Sequence, residues 1–588
     1  MEHYYTDERN AQIVIYLLKA NNIKKVIASP GGTNVTFVAS IQQDPFFEIY
    51  SCIDERSAAY MACGLSAESG EPVVLSCTGA TASRNYVPGL TEAYYRKLPI
   101  LAITSSQVES HLENLHPQAI DRRVIQNDIA RKSVNIPIVK DCDDEIFCEV
   151  QMNRAIHSLK KNGRGPVHVN LETNYSDNYS IKILPKCRVI NYVSYESDFP
   201  KLPEGRIGIY MGSHSVWTAE EIKSIDLFCQ RYNAVVFCDH TSNYTGKYGI
   251  HFSLIGSQKQ YTSKFSKLDL MIHIGEISGD YFSHCIKANQ VWRCSLDGEI
   301  RDYFKCTTCV FDMSEKYFFT KYIELNYSDI QESSNYISEL KNEYNKLYEK
   351  IPDLPFSNLY CAKVLANYIP GNSVVHFGIL NSLRSWDMFE LPNTVTCYSN
   401  VGGFGIDGGV SSLIGAGLNN QQQLHFGIFG DLLFFYDLNS IGNYNINNNI
   451  RILLINNGLG VEFKKYDGVG DVLGDDTNKF IAAEGHYGKK SPLLVKHYAE
   501  DLGFKYLSAS NKEEFNRNIK EFVDENISNK SIIFEVFTNE KDENEAFKII
   551  QNLEKDVSDI MKKKMKQGIR NMLGNENIKK IKGVLGKD

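Results

Sequence analysis

Residues Phe426 to Val461 read FGIFGDLLFFYDLNSIGNYNINNNIRILLINNGLGV, and the division of this stretch into elements decides the fold. A short apolar run ends in the turn Gly430-Asp431. The spacing predicts a helix from Phe434 to Ile441. A second apolar run, Ile450 to Ile455, leads into Asn456-Asn457-Gly458. Strand, helix and strand make a βαβ unit. Its two strands are parallel, so their C-terminal ends share one sheet edge, where open α/β sheets bind ligands. Asp431 and Asn457 are brought together there. Two hard oxygen donors beside a helix N-terminus suit a Mg²⁺ ion that keeps some of its waters and is shared with substrate phosphates. A βαβ unit with an acidic turn and a coincidental Asn pair would read the same way from this segment alone.

Far upstream, Val26 to Glu68 reads VIASPGGTNVTFVASIQQDPFFEIYSCIDERSAAYMACGLSAE. A strand runs into Ser29-Pro30-Gly31-Gly32-Thr33-Asn34, a helix and a short strand follow, and Asp54-Glu55 opens a helix of small residues. Together, the Gly-Asp…Asn-Asn pattern and this segment resemble the thiamine-diphosphate (ThDP) enzymes, the superfamily of acetolactate synthase and the 2-oxo acid decarboxylases. The resemblance implies that Glu55 hydrogen-bonds the aminopyrimidine ring and drives deprotonation of the thiazolium carbon. Read alone, Glu55 is equally a helix-N-terminal acid favoured by the macrodipole.

The chain has 588 residues, 43% of them hydrophobic and 23% charged, ordinary for a globular protein of several domains. A net charge of -8 argues against general affinity for nucleic acid. No apolar run reaches the ~18 residues of a membrane span. The N-terminal MEHYYTDERNAQIVIYLLKANNIKK lacks the basic start and apolar core of a signal peptide. Its 14 cysteines are scattered singly, as in a reducing compartment, so a cytoplasmic protein is expected. Cys306-Thr307-Thr308-Cys309 is a CxxC without a second ligand pair, and neither zinc nor redox function is expected of it.

In chain order, an amphipathic helix spans Asn10 to Asn21, and strands are expected at Glu71 to Ser76 and Leu98 to Ser105. Between them, Cys77-Thr78-Gly79-Ala80-Thr81-Ala82-Ser83-Arg84-Asn85 precedes a helix to Tyr95. These alternating elements predict a doubly wound parallel sheet. The stretch Leu115 to Pro137 resembles one branch of the superfamily, the menaquinone-pathway synthase that joins 2-oxoglutarate to isochorismate. That resemblance places Gln118 facing the reacting carbon; a plain surface helix is the alternative. After a loop-rich stretch, Asn174 to Arg206, a smaller α/β unit carries strands at Ile207 to Met211, Ala234 to Cys238, Leu268 to Ile274 and Gln290 to Ser295. Gly212 stands without GxGxxG spacing, so no flavin is expected. A helix from Ser328 to Ile351 leads through Ile351-Pro352-Asp353-Leu354-Pro355 into the third unit. The domains expected are residues 1–185 (pyrimidine-binding), 200–345 (middle), 355–540 (diphosphate-binding) and a tail, 545–588: three doubly wound α/β domains in all.

In the third domain, Asn381-Ser382, then Ser399-Asn400-Val401-Gly402-Gly403-Phe404-Gly405-Ile406-Asp407-Gly408, then Gly430-Asp431-Leu432 follow the order and wording of the same branch. The resemblance implies that ThDP is held by Gly31, Gly32, Thr78, Asn381, Ser382, Gly405, Gly430, Asp431 and Leu432, with Ile406 propping it bent. It also implies Mg²⁺ on Asp431, Asn457 and the Leu459 carbonyl, and an active site at the subunit interface of a homodimer or homotetramer. The substrate end departs from the branch. Thr33, Gln107, Trp386 and Val401 stand where the branch has arginines that receive two acidic substrates through bidentate contacts; Arg384 lies close enough to one of them to substitute in part. Losing several such partners costs far more than ~1.5 kcal/mol each.

The expectation is therefore a ThDP- and Mg²⁺-dependent enzyme that decarboxylates a small, pyruvate-like 2-oxo acid and passes the acyl anion to a carbonyl acceptor, as acetolactate synthase does. A simple decarboxylase and a catalytically dead ThDP-binding interaction protein are the alternatives. Beyond Lys541 the composition changes: Met561, Met565, Ile569, Met572 and Leu573 recur at helical spacing among Lys562, Lys563, Lys564, Lys566 and Arg570. Such a tail either lies peripherally on an anionic membrane or packs on its own dimer.

Overall fold

The computed structural model describes residues 4–161, 163–325, 335–464, 469–486 and 490–556. The basic tail read from Met561 onward lies outside the described residues. The chain forms two compact units, one within Met1–Ser197 and Gly298–Asp312, the other within Asp198–Asp297 and Met313–Gln567. Its strands form three parallel sheets, as expected of a chain in which apolar runs alternate with helices.

In the first unit, β1 (Lys25–Ala28), β2 (Glu48–Ser51), β3 (Val73–Cys77), β4 (Ile100–Ser106), β5 (Lys132–Ile136) and β6 (Val167–Glu172) lie in the order β2-β1-β3-β4-β6-β5. Every residue of β3 and β6 is buried. A parallel sheet is covered on both faces, which suits the run VVLSC of β3; in β6, VHVNLE, His168, Asn170 and Glu172 alternate with apolar residues and are buried as well. The helix Glu55–Ser69 starts on Asp54, whose carboxylate accepts the Arg56 and Ser57 N–H groups, and stops at Gly70 with φ 70°. Its small residues have a packing reason. A Cβ on Gly89 would lie 2.4 Å from Ala59 Cβ, so this helix and Val87–Arg96 touch almost backbone to backbone. The helix expected up to Tyr95 is broken at Tyr86 into Thr81–Asn85 and Val87–Arg96, as Pro88 in the first turn favours a new start. No surface helix forms over Leu115 to Pro137; apart from the turn Glu109–His111, the chain is irregular until β5.

Also in the first unit, β7 (Asn191–Val193) pairs with β13 (Thr307–Asp312). In the second unit, β8 (Ile207–Met211), β9 (Val235–Cys238), β10 (Gly249–His251), β11 (Lys267–Ile274) and β12 (Lys287–Ser295) run β10-β9-β8-β11-β12. The four strands expected here are present; β7 and β10, of three residues each, are too short to show a period. Cys309, like Cys63, Cys77, Cys238 and Cys361, is a buried free thiol.

The third sheet holds β14 (Val374–Phe377), β15 (Thr396–Ser399), β16 (His425–Gly430), β17 (Ile450–Asn456), β18 (Lys505–Ala509) and β19 (Ile532–Phe537), in the order β15-β14-β16-β17-β19-β18. This repeats the order of the first sheet. β16 and β17 are parallel, His425 opposite Ile450 through Gly430 opposite Ile455. The helix between them begins earlier than its apolar spacing suggested. It spans Asp431–Tyr436 and passes into a 3₁₀ turn, Leu438–Gly442, because Leu433, Phe434 and Phe435 all find the core. The helix Glu540–Ile550 is packed too, with Glu543, Ala546, Phe547 and Ile550 buried. Beyond it the Gln551 carbonyl accepts the Lys259 N–H at 2.8 Å and the Asp556 N–H donates to Gln260 at 2.9 Å. The first residues of the stretch read as a tail are thus part of the second unit. Among the described residues, no helix is long and apolar enough to cross a membrane.

Candidate active site

In the third sheet, the chain goes from β14 out to β15 and returns on the other side of β14 as β16. The crevice at such a switch point, beyond the carboxyl ends of the strands, is where open α/β sheets take ligands. A cavity of about 110 Å³ lies there, lined among others by Asn381 and Ser382 after β14, Gly430, Asp431 and Leu432 after β16, Asn457 and Leu459 after β17, and half-buried Ile406. Of the cofactor and metal residues singled out in this domain, Gly405 alone stands outside the lining. Asn358, Leu380, Glu462 and Phe463 join it, and no local motif marks them. Leu380 carries backbone strain, with φ 66° immediately before the helix Asn381–Trp386. Such strain in a non-glycine residue costs about 1–3 kcal/mol and collects at functional sites.

Asp431 is 5% exposed. Its Oδ1 accepts the Leu432 N–H at 2.9 Å and its Oδ2 the Gly458 N–H at 2.8 Å. Gly458 can aim that N–H because its φ is 78°, a conformation glycine adopts without penalty. Asn457 Oδ1 accepts the Leu459 N–H at 3.3 Å. Its neighbour Asn456 points the other way and donates to Glu535 at 2.7 Å, so only the second Asn of the pair faces the cavity. Burial pushes the Asp431 carboxyl up to about 7, and the two backbone N–H groups offset this only in part. A Cβ on Gly430 would meet no atom within 4 Å, so the space before the turn is open. A buried carboxylate short of positive charge, an amide oxygen beside it and open space in front fit a divalent cation carrying a phosphate.

This burial has a pH signature. An unfolded Asp releases its proton near pH 4, whereas folded Asp431 keeps it to about pH 7. Between these values the folded state binds more protons, so ligand-free stability falls as pH rises. Glu543, fully buried and also pushed up to about 7 by burial, acts in the same direction. Asp431→Asn should therefore remove part of the fall in Tm between pH 4 and 7; equal slopes for the variant and the parent protein would refute an apo carboxyl protonated by burial.

In the first unit, Gly31, Gly32, Thr33 and Thr78 gather at the matching switch point, beyond β1 and β3. A Cβ on Gly31 would fall 2.4 Å from Thr78 Cβ. Thr78 Oγ1 lies 2.6 Å from Thr33 Oγ1, which accepts the Gly79 N–H at 3.1 Å and donates to the Ser105 carbonyl at 3.0 Å. Glu55, half-buried at the first turn of its helix, accepts from Asn85 Nδ2 at 3.3 Å. Ile53, Tyr60 and Met61 of the same segment, and Tyr95 of the helix packed on it, are 81%, 48%, 46% and 68% exposed. Gln118 is exposed with φ 62° and lines a small cavity with Gln107, Arg122 and Arg123. Arg123 pairs with Asp121 and Glu109. Arg122 is 4% exposed and donates to Asn170 Oδ1 at 2.7 Å, while its Nε and Nη1 have no partner; burial lowers its guanidinium to about 10.

Three of the four positions lacking arginine are sealed inside their units. Thr33 is 2%, Trp386 0% and Val401 4% exposed, and the Trp386 indole N–H points to Asn358 Oδ1 at 3.3 Å. Arg384 is buried, its guanidinium 3.6 Å from the Tyr281 ring centroid, and it pairs with Glu462, which lines the cavity.

Residues 9–132 match the thiamine pyrophosphate enzyme, N-terminal TPP binding domain. The 2-succinyl-5-enolpyruvyl-6-hydroxy-3-cyclohexene-1-carboxylate synthase of Bacteroides thetaiotaomicron is 28% identical over 556 residues, 91% of this chain and 97% of its own length. The synthase of the same name from Phocaeicola vulgatus is 29% identical over 560 residues, 92% and 97% of the two chains. These relatives carry the name of the menaquinone-pathway synthase and not of acetolactate synthase. Among solved structures, a thiamine diphosphate-dependent 4-hydroxybenzoylformate decarboxylase from Rhodococcus jostii RHA1 aligns with 90% of this chain and 99% of its own at 15% identity and a TM-score of 0.39, too distant to bear on the assignment. The N-terminal match over residues 9–132 and the relatives along nine-tenths of the chain make this protein similar to the thiamine pyrophosphate-dependent enzymes.

Proposed function

We propose that the chain decarboxylates a small 2-oxo acid and transfers the acyl group to a carbonyl acceptor. The observation that carries this reading is the burial of Thr33, Trp386 and Val401: no cation stands at these positions to receive a second or third substrate carboxylate. Arg122, beside Gln107 and Gln118, is the cation of the first unit's cavity that no carboxylate holds, which suits a donor with one carboxylate, such as pyruvate. ThDP, when bound, supplies the nucleophilic carbon and the electron sink for decarboxylation. Asp431, Asn457 and the Leu459 carbonyl would hold Mg²⁺ and with it the diphosphate, Asn381, Ser382 and Leu432 would border the cofactor, and Ile406 would press on its middle. Glu55 would hold and move a proton at its carboxylate, and Gln118 would orient the donor. The test is CO₂ release from the protein with ThDP, Mg²⁺ and a panel of 2-oxo acids, with and without aldehyde and 2-oxo acid acceptors. Pyruvate or a similar acid should lead, and an acceptor should speed turnover and yield a C–C bonded product. 2-Oxoglutarate with isochorismate as the best pair would overturn the reading, and no release with any acid would indicate a dead site.

The same reading includes an oligomer. The exposure of Ile53, Tyr60 and Met61, on the segment that carries Glu55, supports this segment as a subunit contact, since exposed apolar surface marks interaction sites. Tyr60→Glu combined with Met61→Glu should yield an inactive monomer in sedimentation; an active monomer would refute a site shared between subunits.

A further inference from the structure

Away from the ThDP cavity, His240, His251 and Asp387 each bring a ligand atom to within 4.8 Å of the others. β9 and β10 are parallel neighbours with His251 opposite Cys238, which sets His240, just past the end of β9, beside His251; the two rings are 4.4 Å apart. Asp387 follows directly on the helix Asn381–Trp386.

The hydrogen bonds determine where the lone pairs point. His240 Nε2 lies 3.1 Å from the Trp386 carbonyl and 3.0 Å from that of Phe389. Carbonyls only accept, so Nε2 carries the proton and Nδ1 the lone pair. His251 hydrogen-bonds to the backbone of Asp387, and its buried Nδ1 has no partner. Asp387 Oδ1 accepts the backbone N–H of His240 at 3.2 Å. Its Oδ2 has no partner, although the side chain is 0% exposed. With Asp387 ionised, three electron pairs converge there with no proton donor among them. Imidazoles whose outer N–H groups are fixed by backbone carbonyls are oriented as metal ligands are.

We infer that His240, His251 and Asp387 form a structural site for a divalent cation of the Zn²⁺ class, separate from the Asp431 cavity. Two imidazole nitrogens and one carboxylate oxygen suit Zn²⁺ or a similar late transition metal, whereas Mg²⁺ takes oxygen donors in an octahedron. The fourth position is left to water. The ion would tie the ends of β9 and β10 to the end of the helix whose first residues, Asn381 and Ser382, line the ThDP cavity, and would hold that helix in place.

The full-length protein, purified without chelators, should contain about one Zn²⁺ per chain. After stripping, Co²⁺ should restore the visible absorption of a nitrogen- and oxygen-ligated tetrahedral ion. His251→Gln and Asp387→Asn should weaken Zn²⁺ binding by at least about tenfold. Asp431→Ala should bind Zn²⁺ as the parent does, which separates this site from the ThDP assignment. Absence of stoichiometric Zn²⁺ or Co²⁺ in the parent protein, or equal affinity in the parent and both variants, would overturn the inference. A metal-free parent stabilised by Asp387→Asn would show instead a core held by a protonated acid. If neither variant folds, the metal content and Co²⁺ spectrum of the parent protein decide.

Discussion

Glu55→Gln should lower turnover by about 10²–10⁴-fold while ThDP affinity stays within a few-fold of the parent. Glutamine is the same size, and its amide oxygen can still accept from Asn85, which lies 3.3 Å from Glu55 Oε2. The helix start does not depend on the side chain, because Asp54 caps the Arg56 and Ser57 N–H groups. The fold and the cofactor site should therefore survive, and Tm should not move. What is lost is a group that exchanges a proton, and removing a positioned acid or base typically costs that factor, about 2.7–5.5 kcal/mol of transition-state stabilisation. Steady-state CO₂ release and calorimetric titration with ThDP measure the two halves separately. A loss of activity below tenfold would leave Glu55 as a helix-N-terminal acid and nothing more.

The second large effect is on binding. In the parent protein, Mg²⁺ and ThDP at about a hundred times their Kd should stabilise the fold by about 2.7 kcal/mol, a shift of a few degrees in Tm. Asp431→Ala should abolish that shift. Asn457→Ala should do the same. Asn456→Ala should instead lower Tm with and without ligand, because Asn456 and Tyr506 are the donors to the buried Glu535, and a buried carboxylate that loses one of them is destabilised. Thermal unfolding of the three variants, with Mg²⁺ and ThDP present or absent, separates these outcomes. A full ligand-dependent shift in Asp431→Ala would remove this residue from the metal site.

Sequence by itself determined the strands and their direction. Val73–Cys77, Ile100–Ser106, His425–Gly430 and Ile450–Asn456 are short apolar runs separated by helices, and such strands pair in parallel and end at a common edge. Gly430-Asp431 and Asn456-Asn457-Gly458 were legible for the same reason, since a motif at a strand end is positioned by the strand. The tertiary structure decided which side chains face out. Nothing local distinguishes Asn456, turned to Glu535, from Asn457, turned to the cavity; β19, more than seventy residues downstream, provides the partner that separates them. Thr33, Trp386 and Val401 likewise look available in the sequence and are buried, because other parts of the chain close over them. The helix Asp431–Tyr436 starts earlier than its spacing implied because three successive apolar residues meet core on more than one side. His240, His251 and Asp387 share no motif at all and are gathered by a β9–β10 pairing and a helix end far along the chain. Periodicity is written along the chain and can be read there, whereas the burial and the partners of a side chain are set by residues remote in sequence.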